Sequence, residues 1–185
     1  MRIISGKFKG RTLVSFKADH IRPTMDRVKE TLFNKWMGYV EDAKTLDLFA
    51  GTGNLGLEAL SRGAMHVTFV EKNAKSVDII RKNVELLKIT KNEHVVIPKD
   101  VFSFIKTYQG EGFDIIFIDP PFTEKLADDV MTALASSQCF HQNTLIAIEA
   151  IKQEKIETEY GDLICYDKQD YGDKSLSLFS KKAID

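Results

Sequence analysis

The sequence predicts an α/β fold built on a doubly wound, mostly parallel sheet, and three observations support this prediction. From Thr45 onward, short and continuously apolar segments take turns with amphipathic helical segments, which is typical of a parallel sheet covered on both faces. A glycine-rich turn at residues 51–56 follows the first of these apolar segments. Near the C-terminus, two apolar segments follow each other with little helix between them, which predicts an antiparallel hairpin at the edge of the sheet.

The first forty residues are predicted to form an extension ahead of the main domain. Segments 2–6 and 10–14 have the composition of two short strands, joined by a turn that contains Gly and Lys. Pro23 and Thr24 then introduce a helix, because apolar side chains recur after them at the spacing of one helix face. That face consists of Val28, Leu32, Phe33 and Trp36. We therefore divide the chain into a β-hairpin and helix extension, residues 1–40, and a main domain, residues 41–185.

The elements of the main domain follow from the positions of apolar segments and helix caps. Gly63 is placed to end the first helix, and Asn73 is placed to cap the second. The predicted strands are residues 45–49, 66–70, 94–97, 113–118, 145–148, 163–166 and 176–179. The predicted helices lie between the strands of the parallel part, at residues 54–62, 74–87, 101–108 and 124–135.

Composition excludes several classes of protein. The chain has 185 residues, of which 43% are hydrophobic, so it can bury a core and is not generally disordered. Its apolar segments are too short to span a bilayer, and the start of the chain lacks the apolar stretch of a secretory signal. Two cysteines make no disulfide framework, and four scattered histidines have no metal-ligand spacing. We expect a cytoplasmic protein with no metal and no membrane contact.

Charge is distributed unevenly along the chain. The net charge is −1, but residues 1–40 contain nine Lys and Arg against three Asp and Glu, a local excess of +6. A basic extension on an acidic body fits contact with nucleic-acid phosphates. A solvated, charge-rich terminus explains the same excess, so charge alone leaves both interpretations open.

The glycine-rich turn has the features of a nucleoside-binding loop. Gly51, Gly53 and Gly56 form a G-x-G-x-x-G pattern between the first strand and the first helix of the main domain. Glu71 follows Gly51 by twenty residues, at the end of the second strand, where a carboxylate can accept hydrogen bonds from both ribose hydroxyls. The alternative is a structural glycine turn with a surface glutamate. The order of strand, loop, helix, second strand and acid matches that of nucleoside-binding sites, so it favours the nucleoside-binding interpretation.

The acid before this loop favours one class of nucleoside cofactor. Asp47 would repel the diphosphate of NAD, but it suits the sulfonium and ammonium groups of S-adenosylmethionine. Asp100, after the third strand, can accept from the adenine amino group, and it is equally placed to cap the following helix. The candidate cofactor-binding residues are Asp47, Phe49, Gly51, Gly53, Asn54, Glu71, Lys72, Asp100, Val101 and Asp119.

The strand at 113–118 continues into Asp119-Pro120-Pro121-Phe122, which we predict to be the catalytic segment. Ligands of open parallel sheets bind beyond the carboxyl ends of the strands, so Asp119 should lie at the same edge as the glycine loop. A carboxylate and a carbonyl fixed by proline can accept both hydrogens of an aromatic amine, while Phe122 stacks on its ring. The candidate catalytic residues are Asp119, Pro120 and Phe122. A rigid turn that closes a strand is the alternative.

This arrangement answers a chemical difficulty. An exocyclic amine delocalises its lone pair into the aromatic ring and is a poor nucleophile. Hydrogen bonds to both N–H groups favour a pyramidal nitrogen, whose lone pair can attack a methyl–sulfonium carbon in line. The same acceptors stabilise the positive charge that develops on the nitrogen. A strong base is not needed, because the methylated ammonium is itself acidic.

These motifs together resemble class I S-adenosylmethionine-dependent amino-methyltransferases, whose signature is (D/N/S)-P-P-(Y/F/W). More closely, the chain resembles bacterial 16S (small-subunit) ribosomal RNA guanine-N(2) methyltransferases over nearly its whole length. The two ends of the chain carry the likeness to this narrower family. The segments concerned are 2–6, 10–13, 22–24, 26–34, 46–56, 58–64, 69–72, 119–122 and 171–177.

The resemblance implies a Rossmann-like class I methyltransferase sheet and methylation of the 2-amino group of one guanine in small-subunit ribosomal RNA, within an assembling ribosomal particle. The implied product is S-adenosylhomocysteine. Arg22 and Thr24 would lie beside the mouth of the active site. The segment 168–170 is less basic than an RNA-gripping loop would be. The candidate RNA-binding residues are Lys7, Lys9, Arg11, Arg22, Thr24, Arg27, Phe122 and Tyr171.

Three other functions compete with this one. Asp-Pro-Pro-Phe chemistry also serves adenine amino groups in DNA, but the chain offers no sizeable domain to read a DNA sequence. A non-catalytic RNA- or nucleotide-binding module would not need an intact catalytic tetrapeptide. A dehydrogenase would need a separate substrate domain, which the sequence does not offer.

Overall fold

The structure is a computed structural model that describes residues 1–16, 23–122 and 124–183. Its centre is an eight-stranded sheet with the strand order β3-β2-β1-β4-β5-β8-β7-β6. The strands β1 to β5 are parallel to one another, and β5–β8, β8–β7 and β7–β6 pair antiparallel. The strands are β1 Lys44–Leu48, β2 His66–Val70, β3 His94–Ile97, β4 Phe113–Ile118, β5 Phe140–Ile151, β6 Glu159–Tyr160, β7 Leu163–Tyr171 and β8 Lys174–Lys181.

Helices cover both faces of the sheet, so the doubly wound, mostly parallel architecture with an antiparallel C-terminal hairpin is confirmed. The helices are α1 Pro23–Lys35, α2 Asn54–Ser61, α3 Ala74–Leu86, α4 Val101–Thr107 and α5 Ala127–Ala135. Side chains of α1, α2, α3 and the first thirteen residues form one core with one face of the sheet. Side chains of α4 and α5 form a second core with the other face. No helix within the described ranges is long and apolar enough to cross a membrane.

Several predicted boundaries were wrong, most of them in the C-terminal third; in the parallel part, β1 is Lys44–Leu48 rather than 45–49. Helix α5 begins at Ala127 rather than at residue 124, and β5 has twelve residues rather than four. The strands β7 and β8 are longer than predicted, and the sequence analysis missed β6. The antiparallel pairing supplies backbone partners to polar residues at the strand ends, which extends these strands beyond their apolar centres.

The predicted N-terminal hairpin is present only in reduced form. Arg2 and Thr12 form an isolated antiparallel bridge rather than part of two regular strands. Main-chain bonds from the Ile3 amide to the Arg11 carbonyl and from the Leu13 amide to the Met1 carbonyl hold the two segments together, at 3.0 Å each. The turn between them is fastened to the end of α2, where the Lys7 amide donates to the Ser61 carbonyl at 2.7 Å.

The parallel strands define two opposite edges of the sheet. The carboxyl rim is the edge at which β1, β2, β3, β4 and β5 end, and the amino rim is the edge at which they begin. Because α2 starts after β1 and ends before β2, its first residue lies at the carboxyl rim and its last residues lie at the amino rim. The hairpin therefore runs along α2 with its turn at the amino rim.

Candidate active site

The glycine loop connects β1 to α2 at the carboxyl rim, and its residues adopt conformations that restrict the sequence. Gly53 precedes α2 with a left-handed φ of 82°, which glycine adopts without steric cost. A Cβ atom on Gly56 would lie 2.4 Å from Phe69 Cε1 and 2.8 Å from Val67 Cγ1. Only glycine therefore lets α2 pack this closely against β2. Phe49, at the start of the loop, has a φ of 57°, a strained conformation of the kind found at ligand sites.

Glu71 is anchored to the loop by its own carboxylate. Its Oε2 accepts a hydrogen bond from the Gly51 amide at 2.9 Å, and its Oε1 accepts one from the Asn73 amide at 2.8 Å. Each carboxylate oxygen has a second acceptor site. The Glu71 carboxylate is thus held in one orientation and can still accept hydrogen bonds from a pair of hydroxyl groups.

Asp47 lies under the loop rather than on its open side. The side chain is buried, and Oδ2 accepts a hydrogen bond from the Gly56 amide at 2.9 Å. Burial raises the pKa of Asp47 well above its usual value, the Gly56 amide opposes this rise, and the nearby Asp119 and Glu71 carboxylates add to it. Asp47 therefore stabilises the loop from beneath and contributes to a group of three acids at one place on the rim.

Asp119 follows β4 and its amide lies 3.5 Å from the Leu48 carbonyl at the end of β1. The predicted convergence of the catalytic segment and the glycine loop is therefore present in the structure. Burial raises the pKa of Asp119 to about 7; the Glu149 carboxylate adds to the rise, and the Lys174 ammonium opposes it. Pro120 is buried, and Pro121 and Phe122 are half-buried beside it.

The remaining cofactor candidates differ in what they contact. Asp100 caps α4, because its Oδ1 accepts from the Ser103 amide at 3.0 Å. The side chain of Val101 is buried in the core against α4 and α5. Lys72 lies 3.7 Å from the Glu124 carboxylate and is largely exposed. Asn54 begins α2, and its Oδ1 accepts a 2.8 Å hydrogen bond from the Lys29 ammonium. Cofactor contact by these four residues stays a prediction.

Sequence reasoning missed the buried polar cluster that joins the N-terminal extension to α2. Lys29 and Glu58 are buried, and their charged groups lie 3.0 Å apart. Glu58 also accepts from the amides of Ile4 and Ser5, at 2.8 and 3.0 Å. Desolvation lowers the pKa of Lys29, and the Glu58 carboxylate opposes that shift. The available signal was that Lys29 lies within the apolar face, three and four residues before Leu32 and Phe33.

Sequence reasoning also missed Glu149 and Lys174, which lie next to Asp119. Glu149 is in β5 and Lys174 begins β8, and their side chains form an ion pair. The Lys174 ammonium also lies 3.8 Å from the centre of the Phe122 ring. Phe122, Glu149 and Lys174 come from different parts of the chain, and no local motif connects them.

The RNA candidates are spread over both rims. Lys7 lies at the amino rim, where its ammonium is 2.7 Å from the Glu93 carboxylate just before β3. Lys9, Arg11 and Arg27 are exposed. Tyr171 ends β7, and its position opposite Lys174 places it at the carboxyl rim. Arg22 lies outside the described residues.

The start of α1 lies at the carboxyl rim. Lys29 contacts Asn54 at the beginning of α2, and the Arg62 guanidinium lies over the Phe33 ring at 4.7 Å near the end of α2. The two helices therefore run in the same direction. Pro23 is six residues before Lys29, so the backbone of the first turn of α1, which includes Thr24, extends to the carboxyl rim.

Comparison with known proteins gives consistent matches over nearly the whole chain. Residues 1–180 match the family described as "Conserved hypothetical protein 95". "Ribosomal RNA small subunit methyltransferase D" of Haemophilus influenzae is 40% identical over 159 residues, which are 85% of this chain and 82% of the relative. The protein of the same name from Escherichia coli strain K12 is 33% identical over 183 residues, 99% of this chain and 91% of the relative.

Solved structures agree with these sequence matches. The structure of the Escherichia coli protein yhhF superimposes with a TM-score of 0.86 at 30% sequence identity, covering 100% of this chain and 99% of that one. The predicted Rossmann-like methyltransferase sheet is thus confirmed. From the match at residues 1–180, the chain belongs to the conserved hypothetical protein 95 family.

Proposed function

We propose that this protein transfers a methyl group from S-adenosylmethionine to the 2-amino group of a guanine in small-subunit (16S) ribosomal RNA. The observation that carries the proposal is the placement of Asp119 and Phe122 at the carboxyl rim, next to the glycine loop and its two acids, Asp47 and Glu71. The relatives named small-subunit ribosomal RNA methyltransferase D support the choice of RNA. An assembling ribosomal particle as the form of substrate is implied by the family resemblance.

The acids at the rim fit a cationic nucleoside. Asp47 interacts with both Glu71 and Asp119 at the loop, so a diphosphate would meet repulsion there and a sulfonium would not. Glu71 would hold the ribose, and Asp100 would accept from the adenine amino group. The loop glycines would line the methionine part, with Asp47 supporting them from beneath. S-adenosylmethionine supplies a methyl group that is activated by attachment to a positively charged sulfur.

Asp119 and Phe122 would act on the acceptor base. Ionised Asp119 accepts a hydrogen bond from the guanine amine, and the carbonyl fixed by Pro120 accepts the second one. This pair directs the nitrogen lone pair toward the methyl carbon and stabilises the charge that the nitrogen gains. Phe122 stacks on the base. The amine lies on the pairing edge of guanine, so the base must be unpaired or flipped out first.

The proposed function is tested with small ribosomal subunits from a strain that lacks this enzyme. The protein, supplied with tritiated S-adenosylmethionine, is expected to label one guanine in the 16S RNA, and mapping of the modified base identifies it. Genomic DNA is offered in a parallel assay, and label in its adenines, or no label in either nucleic acid, would overturn the proposal. Comparison of free 16S RNA with assembled subunits shows which form is the substrate.

Glu71→Ala is expected to weaken S-adenosylhomocysteine binding tenfold or more. The ribose loses hydrogen bonds to a charged acceptor, each worth about 1.5–3 kcal/mol before water compensates for part of the loss. Titration calorimetry measures the change. Glu71→Gln is the matched control, because it keeps the side-chain length and one acceptor oxygen, and a smaller loss is expected. Unchanged affinity in Glu71→Ala would mean that the carboxylate only fastens the loop to Gly51.

Arg11→Glu is expected to weaken RNA binding and to reduce its salt dependence, by about one unit of the log–log slope for each phosphate that the protein no longer neutralises. Lys9 lies in the hairpin turn at the amino rim, where its amide donates to the Gly6 carbonyl, so Lys9→Glu should add little to the effect. Lys7 lies at the amino rim in an ion pair with Glu93, so Lys7→Glu should matter least. Filter binding to 16S RNA at several salt concentrations measures all three.

Lys106→Glu provides the control for this series. Lys106 lies on α4, on the opposite face of the sheet, and the substitution changes the net charge equally. If Arg11→Glu and Lys106→Glu reduce binding and slope by the same amount, the basic extension is only a solvated surface. Affinity for S-adenosylhomocysteine should stay constant in all of these variants.

A further inference from the structure

The turn between β7 and β8 brings a lysine to the carboxyl rim. Tyr171 is opposite Lys174 across this turn, and β8 pairs antiparallel with β5, with Lys174 opposite Ile151 at the end of β5. The side chain of Lys174 is only 18% exposed. The antiparallel addition to a parallel sheet therefore places one ammonium group next to the segment after β4.

This ammonium makes two contacts. It forms an ion pair with Glu149 and also lies over the Phe122 ring, 3.8 Å from the ring centre. A cation this close to an aromatic face is held there by the ring quadrupole. One face of Phe122 is thereby covered, so a base can stack only on the other face, and the ring is restricted in its rotation.

The charges around Asp119 come from several elements. Asp47 in β1 and Glu149 in β5 are carboxylates, and Lys174 in β8 is the cation that acts on Asp119. Glu71, after β2, acts on Asp47 from the far side of the loop. Lys72 and Glu124 lie 3.7 Å from each other. Without Lys174, the Glu149 carboxylate would act on Asp119 unopposed, so Asp119 would stay protonated up to a higher pH.

Building on the proposed function, we propose that Lys174 is a positioning residue of the acceptor site, which fixes the Phe122 ring with one face covered and supplies the cation that balances Asp119 and Glu149. Glu149 in turn holds Lys174 in place. The pair thus prepares both groups that receive the base, the stacking ring and the hydrogen-bond acceptor.

The first test concerns the effect of the Lys174 charge on Asp119. It uses the cofactor-free protein and carbon-13 NMR titration of the Asp119 carboxyl group, whose signal is assigned with Asp119→Asn. Lys174→Met should raise the pKa of Asp119 by about one unit or more, because a nearby positive charge is removed. Glu149→Gln should lower it, because a nearby negative charge is removed. Lys174→Arg should leave it close to that of the original protein. A folding defect would not produce shifts of opposite sign.

The positioning component is tested by single-turnover and steady-state methyl transfer to undermethylated small subunits between pH 6 and 9, a range about the pKa near 7 that burial imposes on Asp119. Lys174→Met should move the acidic limb of kcat to higher pH, since protonated Asp119 is an uncharged and weaker acceptor, which stabilises the positive nitrogen less. Its KM for the subunit should rise about fivefold, because the Phe122 ring is no longer held. Lys174→Arg should restore both the pH dependence of kcat and the KM for the subunit.

Two results would overturn the inference. One is a Lys174→Met protein whose Asp119 titration and KM both equal those of the original protein. The other is a uniform loss of activity at every pH that Lys174→Arg does not rescue. Failure of the original protein to methylate subunits would instead overturn the proposed function and the base-positioning role built on it, while the NMR titration would still test the charge balance.

Discussion

Asp119→Ala is expected to lower kcat for methyl transfer by about 10²–10³-fold, the range observed when one preorganised hydrogen-bonding group that stabilises transition-state charge is removed. The reason is that the missing carboxylate accepts most strongly when the amine nitrogen becomes positive. S-adenosylhomocysteine affinity should stay nearly constant, because Glu71 keeps its bonds to Gly51 and Asn73. Single-turnover transfer at saturating cofactor on undermethylated small subunits measures the effect.

Two variants control this experiment. Asp119→Asn keeps the size of the side chain and one acceptor oxygen, so it should lose less activity than Asp119→Ala at neutral pH. Phe122→Tyr keeps the stacking face and should retain substantial activity. Phe122→Ala should lose the stacking, which is worth about 1–3 kcal/mol per base. Turnover by Asp119→Ala near that of the original protein would refute the mechanism.

Glu58→Ala is expected to reduce the free energy of unfolding by about 3–5 kcal/mol, because it leaves a charge buried without its counterion. Lys29 would keep only the Asn54 oxygen and the Arg2 carbonyl as partners. The amides of Ile4 and Ser5 would lose their acceptor in the same variant. Urea denaturation at neutral pH, followed by circular dichroism, measures the loss.

The double variant Lys29→Met/Glu58→Gln separates the ion pair from packing. It removes both charges of this pair and keeps an oxygen that can accept from the Ile4 or Ser5 amide, so part of the stability should return. The Arg62 guanidinium, 2.8 Å from the Glu58 carboxylate, still loses its ion pair in this variant. If Glu58→Ala reduced the free energy of unfolding by less than about 1 kcal/mol, this cluster would contribute no more than a surface ion pair does. Because the cluster joins the N-terminal extension to α2, the first sixteen residues should be the part most exposed to protease in Glu58→Ala.

The parallel half of the fold was predictable from local sequence. The predicted ranges of β2, β3 and β4 agree with the structure, and the cap at Asn73 is present, with Oδ1 accepting from the amides of Lys75 and Ser76. The strands β2 and β4 are short apolar runs because they are covered on both faces, so composition alone marks their ends. The edge strand β3 is more exposed but is equally apolar. The strands β7 and β8 contain polar residues among the apolar ones, and their lengths are set by the pairing of β8 with β5 and of β7 with β8.

The candidate site also has a part that was predictable from local sequence and a part that was not. The glycine loop, Glu71 and Asp119 were predictable because each directly follows a strand, and the carboxyl ends of parallel strands share one edge of the sheet. The cluster of Lys29, Glu58 and Asn54 was not, because its members are brought together only when α1 packs beside α2.

The sequence by itself determined the doubly wound sheet, the position of the glycine loop and the meeting of that loop with Asp119, since these depend on short-range patterns and on one topological rule. Only the tertiary structure decided that Asp47 lies beneath the loop, that Lys7 is at the amino rim and that Lys174 covers Phe122. Such contacts join residues far apart in the chain, and their existence depends on packing distances and burial, which no local pattern of residues contains.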